Sequence, residues 1–345
     1  MSLPEVHLAG GTCAQALRLA PVALAMREQG RVAPVLLAGG DGPTAVSRTY
    51  IACGLASDLT LPSAADLTTA IRRYDQLWAT RTPAAVVVCG DNLAAALAAY
   101  WRRVPVMHMD AGRRSGSLVA DDADADRRLL AQVATVHLTA APLAAMNLLD
   151  ERVVPGDVLL TGGTAVEAAR LAAARTRPPA TPRDNRVLVV GMTGGTDRDE
   201  PVRAALMKLM AGHEDLDVFG GLRMPYPERS RLIAAAEVVV TDDVDLAEEA
   251  LAAGAPVLIP GLGGGLAEAV HAGSARLVDP EAGAIVAELE SLLASRVRRD
   301  SLSAAGSPYG DGLAAARIAQ ATAALLGHGQ FPDPMPARPE AGVPR

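Results

Sequence analysis

Two carboxylates close short apolar runs in the first third of the chain: Asp91 after Ala85–Cys89 and Gly90, and Asp110 after Val104–Met109. Runs of this kind read as buried parallel strands, and α/β proteins place ligand chemistry at the carboxyl ends of such strands. Two carboxylates there can act as base and acid in a proton transfer, one removing a proton and the other returning one. A third acid, Asp124, lies in the run Asp121-Asp122-Ala123-Asp124-Ala125-Asp126.

Each has a plainer reading beside the chemical one. Asp91 precedes an Ala-rich helical pattern and would serve as its N-cap. The run around Asp124 would serve as a solvated helix start, favoured by the helix dipole. His108, two residues before Asp110, is as readily a hydrogen-bonded structural imidazole as a ligand contact. The turn Gly10-Gly11-Thr12 before a helix could bind an anion through its amides, and Cys13 is either a thiol activated by the helix start or a small filler.

The elements that must position these groups alternate. Val6–Ala9, Val35–Ala38, Ala85–Cys89, Val104–Met109, Thr135–Thr139 and Val158–Leu160 read as strands, with helices at about 14–28, 66–80, 92–102, 124–133 and 141–149. A second series of strands follows at Val187–Gly191, Leu216–Phe219, Val238–Thr241, Val257–Ile259 and Ala275–Leu277. Such alternation implies parallel, doubly wound sheets, so the expected fold class is α/β. A Pro- and Arg-rich stretch separates the series, so the expected division is a first domain over 1–173, a linker over 174–186 and a second domain over 187–310. The end of the chain carries five prolines in its last sixteen residues, and a disordered tail is expected over 328–345.

The 345 residues suit two cores rather than one, and half of them are hydrophobic. A net charge of −7 argues against nucleic acid as a partner, because a surface that tracks phosphates needs a basic stripe. Cys13, Cys53 and Cys89 are odd in number and lack metal-ligand spacing, which points to a reducing, cytoplasmic setting. No signal peptide or membrane helix is expected from the pattern of apolar residues.

Two motifs carry a family resemblance. Val106-Met107-His108-Met109-Asp110-Ala111-Gly112-Arg113-Arg114-Ser115-Gly116 resembles the His-Val-Glu-Ala-Gly-Leu-Arg-Thr-Gly segment of the non-hydrolysing UDP-N-acetylglucosamine 2-epimerases. Ser307-Pro308-Tyr309-Gly310-Asp311-Gly312 resembles their Asn-Pro-Tyr-Gly-Asp-Gly. The resemblance covers about residues 5–327. It implies two Rossmann-like domains facing a cleft, in the glycosyltransferase-B manner, with a helix over 311–327 crossing back to the first domain. It also implies epimerisation at C2 of a UDP-linked amino sugar by elimination and re-addition, with no cofactor and no metal. Asp91, Asp110 and Asp124 fall at family acid/base positions, and Arg18, His108, Arg128, Glu249 and Glu268 at substrate-binding ones. Family members are commonly homodimers.

Other family positions have changed. The first loop has Cys13 where the family has Arg, and Gly191-Met192-Thr193-Gly194-Gly195 replaces Gly-His-Arg-Arg-Glu. The diphosphate loop Thr-Asp-Ser-Gly-Gly becomes Thr241-Asp242-Asp243-Val244-Asp245, with Asp243 at the Ser. Between Ala211 and Val238 the chain is shorter than the family by roughly one βα unit. The resemblance therefore leaves alternatives open: a divergent epimerase, a hydrolysing relative that releases UDP, or an inactive homologue that binds a ligand or an active paralogue.

Overall fold

The computed structural model describes residues 2–115, 122–175, 186–193, 196–222, 224, 226, 228–261 and 264–336. The chain divides into two compact units. Residues up to Leu171 together with Tyr309–Pro336 make the first, and Ala172–Pro308 make the second.

The first unit is built on seven strands: β1 (Glu5–Gly10), β2 (Ala33–Ala38), β3 (Leu59–Thr60), β4 (Ala85–Cys89), β5 (Val106–Met109), β6 (Val136–Thr139) and β7 (Val158–Leu160). Their order is β3-β2-β1-β4-β5-β6-β7, and every pairing is parallel. The chain runs outward from β1 to β3 and then returns to place β4 on the other side of β1. The carboxyl ends of β1 and β4 therefore form the topological switch point, where open α/β sheets bind ligands.

The second unit has β8 (Arg186–Gly191), β9 (Leu216–Gly220), β10 (Val238–Thr241), β11 (Val257–Pro260) and β12 (Ala275–Val278), in the order β12-β11-β10-β8-β9. They too are all parallel. Here the switch point falls between β8 and β10. Among its described residues, the connection between Ala211 and Val238 holds the strand β9 and the helix Glu228–Ala235.

Small side chains let the helices sit close to the sheet. Ala94, Ala95, Ala96, Ala98 and Ala99 on the helix Leu93–Trp101 are buried against Tyr74 and Trp78 of the helix Leu67–Thr80. Those two rings stack at 5.2 Å, and the Trp78 indole donates to His7 Nδ1 at 3.0 Å. The core of the second unit is aliphatic, with Leu188, Val238, Val240 and Leu258 of the sheet packed on Leu209, Ile285 and Leu289.

The last helix, Ala314–Leu325, packs on the helix Cys13–Gln29 of the first unit. Its start is capped from another element: Glu167 Oε1 accepts from Ala315 N at 2.9 Å. Arg317 donates to both carboxylate oxygens of Asp311 and to the Thr161 carbonyl. These bonds fix the Tyr309–Gly312 turn to the end of β7.

Two sequence expectations need correction. Disorder does not extend over 328–336: Met335 is buried, its N–H donates to the Leu160 carbonyl at 2.7 Å, and Arg31 holds the His328 carbonyl. Residues 337–345 lie outside the described residues. The expected linker begins too early, because the helix Ala165–Arg175 runs through it to Arg175. Its remainder, 176–185, also lies outside the described residues.

Candidate active site

In the first unit the chemistry-bearing residues gather at the carboxyl ends of β1, β4, β5 and β7. The chain leaves β1 through Gly10-Gly11-Thr12, and Thr12 caps the following helix by accepting from Gln15 N at 3.2 Å. Gln15 bridges two loops: its Oε1 accepts from Gly11 N at 2.8 Å and its Nε2 donates to Asp91 Oδ1 at 2.9 Å. Gly40, at φ 78°, backs this loop so closely that a side chain there would collide with the Gly11 carbonyl.

Asp91 is not the helix cap. That place belongs to Asn92, whose side chain accepts from Ala95 N and donates to the Ala9 carbonyl at 2.9 Å. The Asp91 carboxylate accepts instead from Gln15. His108 takes the structural role: fully buried, its Nε2 bonds the Gly90 carbonyl at 2.8 Å and holds the turn that carries Asp91. Burial pushes its pKa down to about 3, so it stays neutral.

Asp110 sits where β5 ends, in the left-handed region at φ 55°, a conformation that costs a non-glycine residue about 1–2 kcal/mol. Its Oδ2 accepts from Arg18 Nη1 at 2.9 Å, and both side chains are buried. Cys89 Sγ donates to the same oxygen at 3.3 Å. The next residues explain the glycine of the motif: at Gly112, φ 78°, a Cβ would strike the Ala144 carbonyl.

The two motifs meet here through Gly163. A Cβ on Gly163 would lie 3.8 Å from Asp110 Oδ1 and 3.1 Å from the Tyr309 carbonyl, which accepts from Gly163 N. Thr164, next in the chain, donates to the Arg18 carbonyl at 2.8 Å. Segments about two hundred positions apart in sequence therefore both border Gly163. The Gly162-Gly163-Thr164 turn was not singled out from sequence, although a Gly-Gly pair after a strand marks a close backbone approach.

Asp124 does not form a solvated helix start. It is fully buried in the helix Asp122–Val133, accepts from Ser115 N at 3.3 Å, and pairs with Arg128 at 3.4 Å. Arg128 also pairs with Glu151 at 2.8 Å, as does Arg114. This network anchors the end of the Asp110 motif.

In the second unit the named residues surround the β8/β10 switch point. Thr241 Oγ1 bonds the Gly191 carbonyl at 2.5 Å, and Asp242 accepts from Thr193 N and Oγ1. Asp243 caps the helix Val244–Ala253, accepting from Leu246 N at 2.7 Å. Burial raises its pKa, and the nearby Asp245 charge raises it further. Glu249 is buried and paired with Arg229 at 2.8 Å, a cation that sequence reading did not single out. Glu268 lies half-buried on the short helix Ala267–His271. Gly194 and Gly195 lie outside the described residues.

Among the described residues no group of three or more His, Cys, Asp or Glu side chains could hold a metal ion, and no helix is long and apolar enough to cross a membrane.

A family model described as UDP-N-acetylglucosamine 2-epimerase matches residues 54–193 and 198–323. The UDP-N-acetylglucosamine 2-epimerase of Escherichia coli strain K12 is 30% identical over 283 residues, which span 69% of this chain and 75% of that one. Among solved structures, an S. aureus MnaA–UDP co-structure has a TM-score of 0.87 at 20% identity, covering 97% of this chain and all of its own. The Neisseria meningitidis UDP-GlcNAc 2-epimerase bound to UDP-GlcNAc has a TM-score of 0.83 at 21% identity, covering 94% and 100%. The two parallel sheets, the motif carboxylate at the end of β5 and these matches agree: the chain belongs to the UDP-N-acetylglucosamine 2-epimerase family.

Proposed function

We propose that the chain inverts C2 of a UDP-linked amino sugar, with Asp110 and Asp91 as its proton-transfer groups. Asp110 starts ionised, because the buried Arg18 guanidinium beside it favours the charged form. It takes the C2 proton while the C1–O bond breaks and the electron pair leaves with UDP, giving a 2-acetamidoglucal. Re-addition of UDP at C1 with a proton delivered to the other face of C2 completes the inversion, and no other reactant is needed. Asp91, whose Oδ1 accepts from the Gln15 amide, takes up a proton from solvent, to which Asp110 gives the one it removed, and delivers it to C2. Arg18, Gln15 and Thr12 lie at the helix start beside these acids.

The observation that carries this reading is the strained, ion-paired Asp110 at the end of β5, with Gly163 between it and the Tyr309 turn. Asp110→Asn is expected to lower turnover of UDP-N-acetylglucosamine by at least about a hundredfold. It should also cost about 3 kcal/mol of stability, because the change removes the carboxylate facing a buried arginine. The paired change Arg18→Met, Asp110→Asn should recover most of the stability and none of the turnover. Activity retained in either variant overturns the role given to Asp110.

A second reading has its own support. Asp243 fills the start of the helix that would meet a diphosphate, and Asp245 already repels it. Two like charges about 4 Å apart repel by roughly 4 kcal/mol at an effective dielectric of about 20. On this reading UDP binds weakly and turnover is low or absent.

A further inference from the structure

We propose that Cys89 is a positioning residue for Asp110, its thiol acting as the second donor that holds Oδ2 ionised and aimed. The proposal rests on the acid/base role given to Asp110 above. Cys89 is 1% exposed, so its sulfur is no ligand contact. It is paired in register with Met109, the residue before Asp110, so the left-handed turn at Asp110 brings the carboxylate back over the sulfur. The thiol donates at 3.3 Å to the oxygen that already accepts from Arg18.

The two donors are not equivalent. Arg18 reaches across from the helix Cys13–Gln29 on a long stem, whereas Cys89 is fixed in the sheet beside the acid it serves. A rigid, uncharged donor adds direction without adding charge, and hydrogen bonding to the charged form favours ionisation. Among the described residues, the titratable and charged groups that face Asp110 include Arg18 from the first helix, Cys89 from β4 and His108 from β5, with the Tyr309 backbone across Gly163.

The test compares Cys89→Ala and Cys89→Ser. Loss of the donor in Cys89→Ala should lower kcat on the order of fivefold with KM for UDP-N-acetylglucosamine unchanged. It should also move the acidic limb of the kcat/KM profile to higher pH, because the carboxylate that must be ionised has lost a bond to its charged form. Cys89→Ser keeps a donor and should restore both. A filler role predicts no movement of the limb, and that result overturns the proposal.

A readout independent of turnover is the S–H stretching band of Cys89, taken as the infrared difference between the native protein and Cys89→Ala. It should lie at the lowered frequency of a bonded thiol and shift in Asp110→Asn. A band at the free-thiol frequency, indifferent to Asp110→Asn, contradicts the contact. This band decides the contact even in a protein that turns over no UDP-N-acetylglucosamine, a result that would count against the proposed function alone.

Discussion

At the scale of the residue, the Asp110–Arg18 ion pair is buried on both sides. Asp110 and Arg18 are 92 positions apart, and nothing in either segment shows that they form one buried pair. The choice between Asp91 and Asn92 as helix cap depends on local backbone angles that a sequence pattern does not carry. Asp124 reads as solvated because its neighbours are acidic, yet it is buried because Ser115, Arg127 and Arg128 supply its partners. The buried imidazoles have a consequence for stability. Burial lowers the pKa of His7, of His108 to about 3 and of His137 to about 4. A base whose folded pKa lies below its ordinary value of about 6.5 contributes stability that is present above that value and lost as pH falls toward the folded pKa. Each imidazole that gains a proton only on unfolding costs up to about 1.4 kcal/mol per pH unit in that window. Glu167 and Asp243 act with the opposite sign, since burial raises their pKa and their stabilisation is lost as pH rises. Their window begins near the ordinary carboxylate range, so it overlaps the imidazole window only in part. The urea midpoint should therefore fall between about pH 7 and pH 5, and the fall should be shallower in His108→Asn. A midpoint that holds constant over that range would contradict the assignment.

At the scale of the element, apolar runs located the strands to within about two residues, because strands of a parallel sheet covered on both faces are mostly apolar. The two-residue strand Leu59–Thr60 and the helix Pro43–Ala52 escaped notice, the first being too short to show any period and the second having only three buried residues. The helix Val244–Ala253 carries the sharpest element-level prediction. Its N-terminal amides are candidates for a diphosphate, but Asp243 occupies one of them and Asp245 stands in the first turn. Asp243→Ser keeps a side chain that caps well, while Val244→Gly and Asp245→Gly remove bulk and charge. The triple change should tighten UDP from about the high-micromolar range, a shift that calorimetry measures directly. Tight UDP binding by the native chain would show that the acidic loop does not oppose the diphosphate.

At the scale of the whole molecule, two parallel sheets with separate cores follow from length and alternation. The return of the last helix to the first unit does not follow from either. It depends on Glu167, Asp311 and Arg317 meeting near the end of β7, and only the Tyr309–Gly312 motif hinted at it. Membership of the epimerase family is consistent with both units, whereas the proposed chemistry draws on the first and the expectation of weak UDP binding on the second. The measurement that bears most directly on the proposed activity is isotope exchange. Incubated with UDP-N-acetylglucosamine in deuterium oxide, the protein should place deuterium at C2 of the epimerised product, because elimination surrenders the C2 proton to a carboxylate that exchanges with solvent. Absence of deuterium at C2 after prolonged incubation at high protein concentration would contradict elimination by this chain on that substrate.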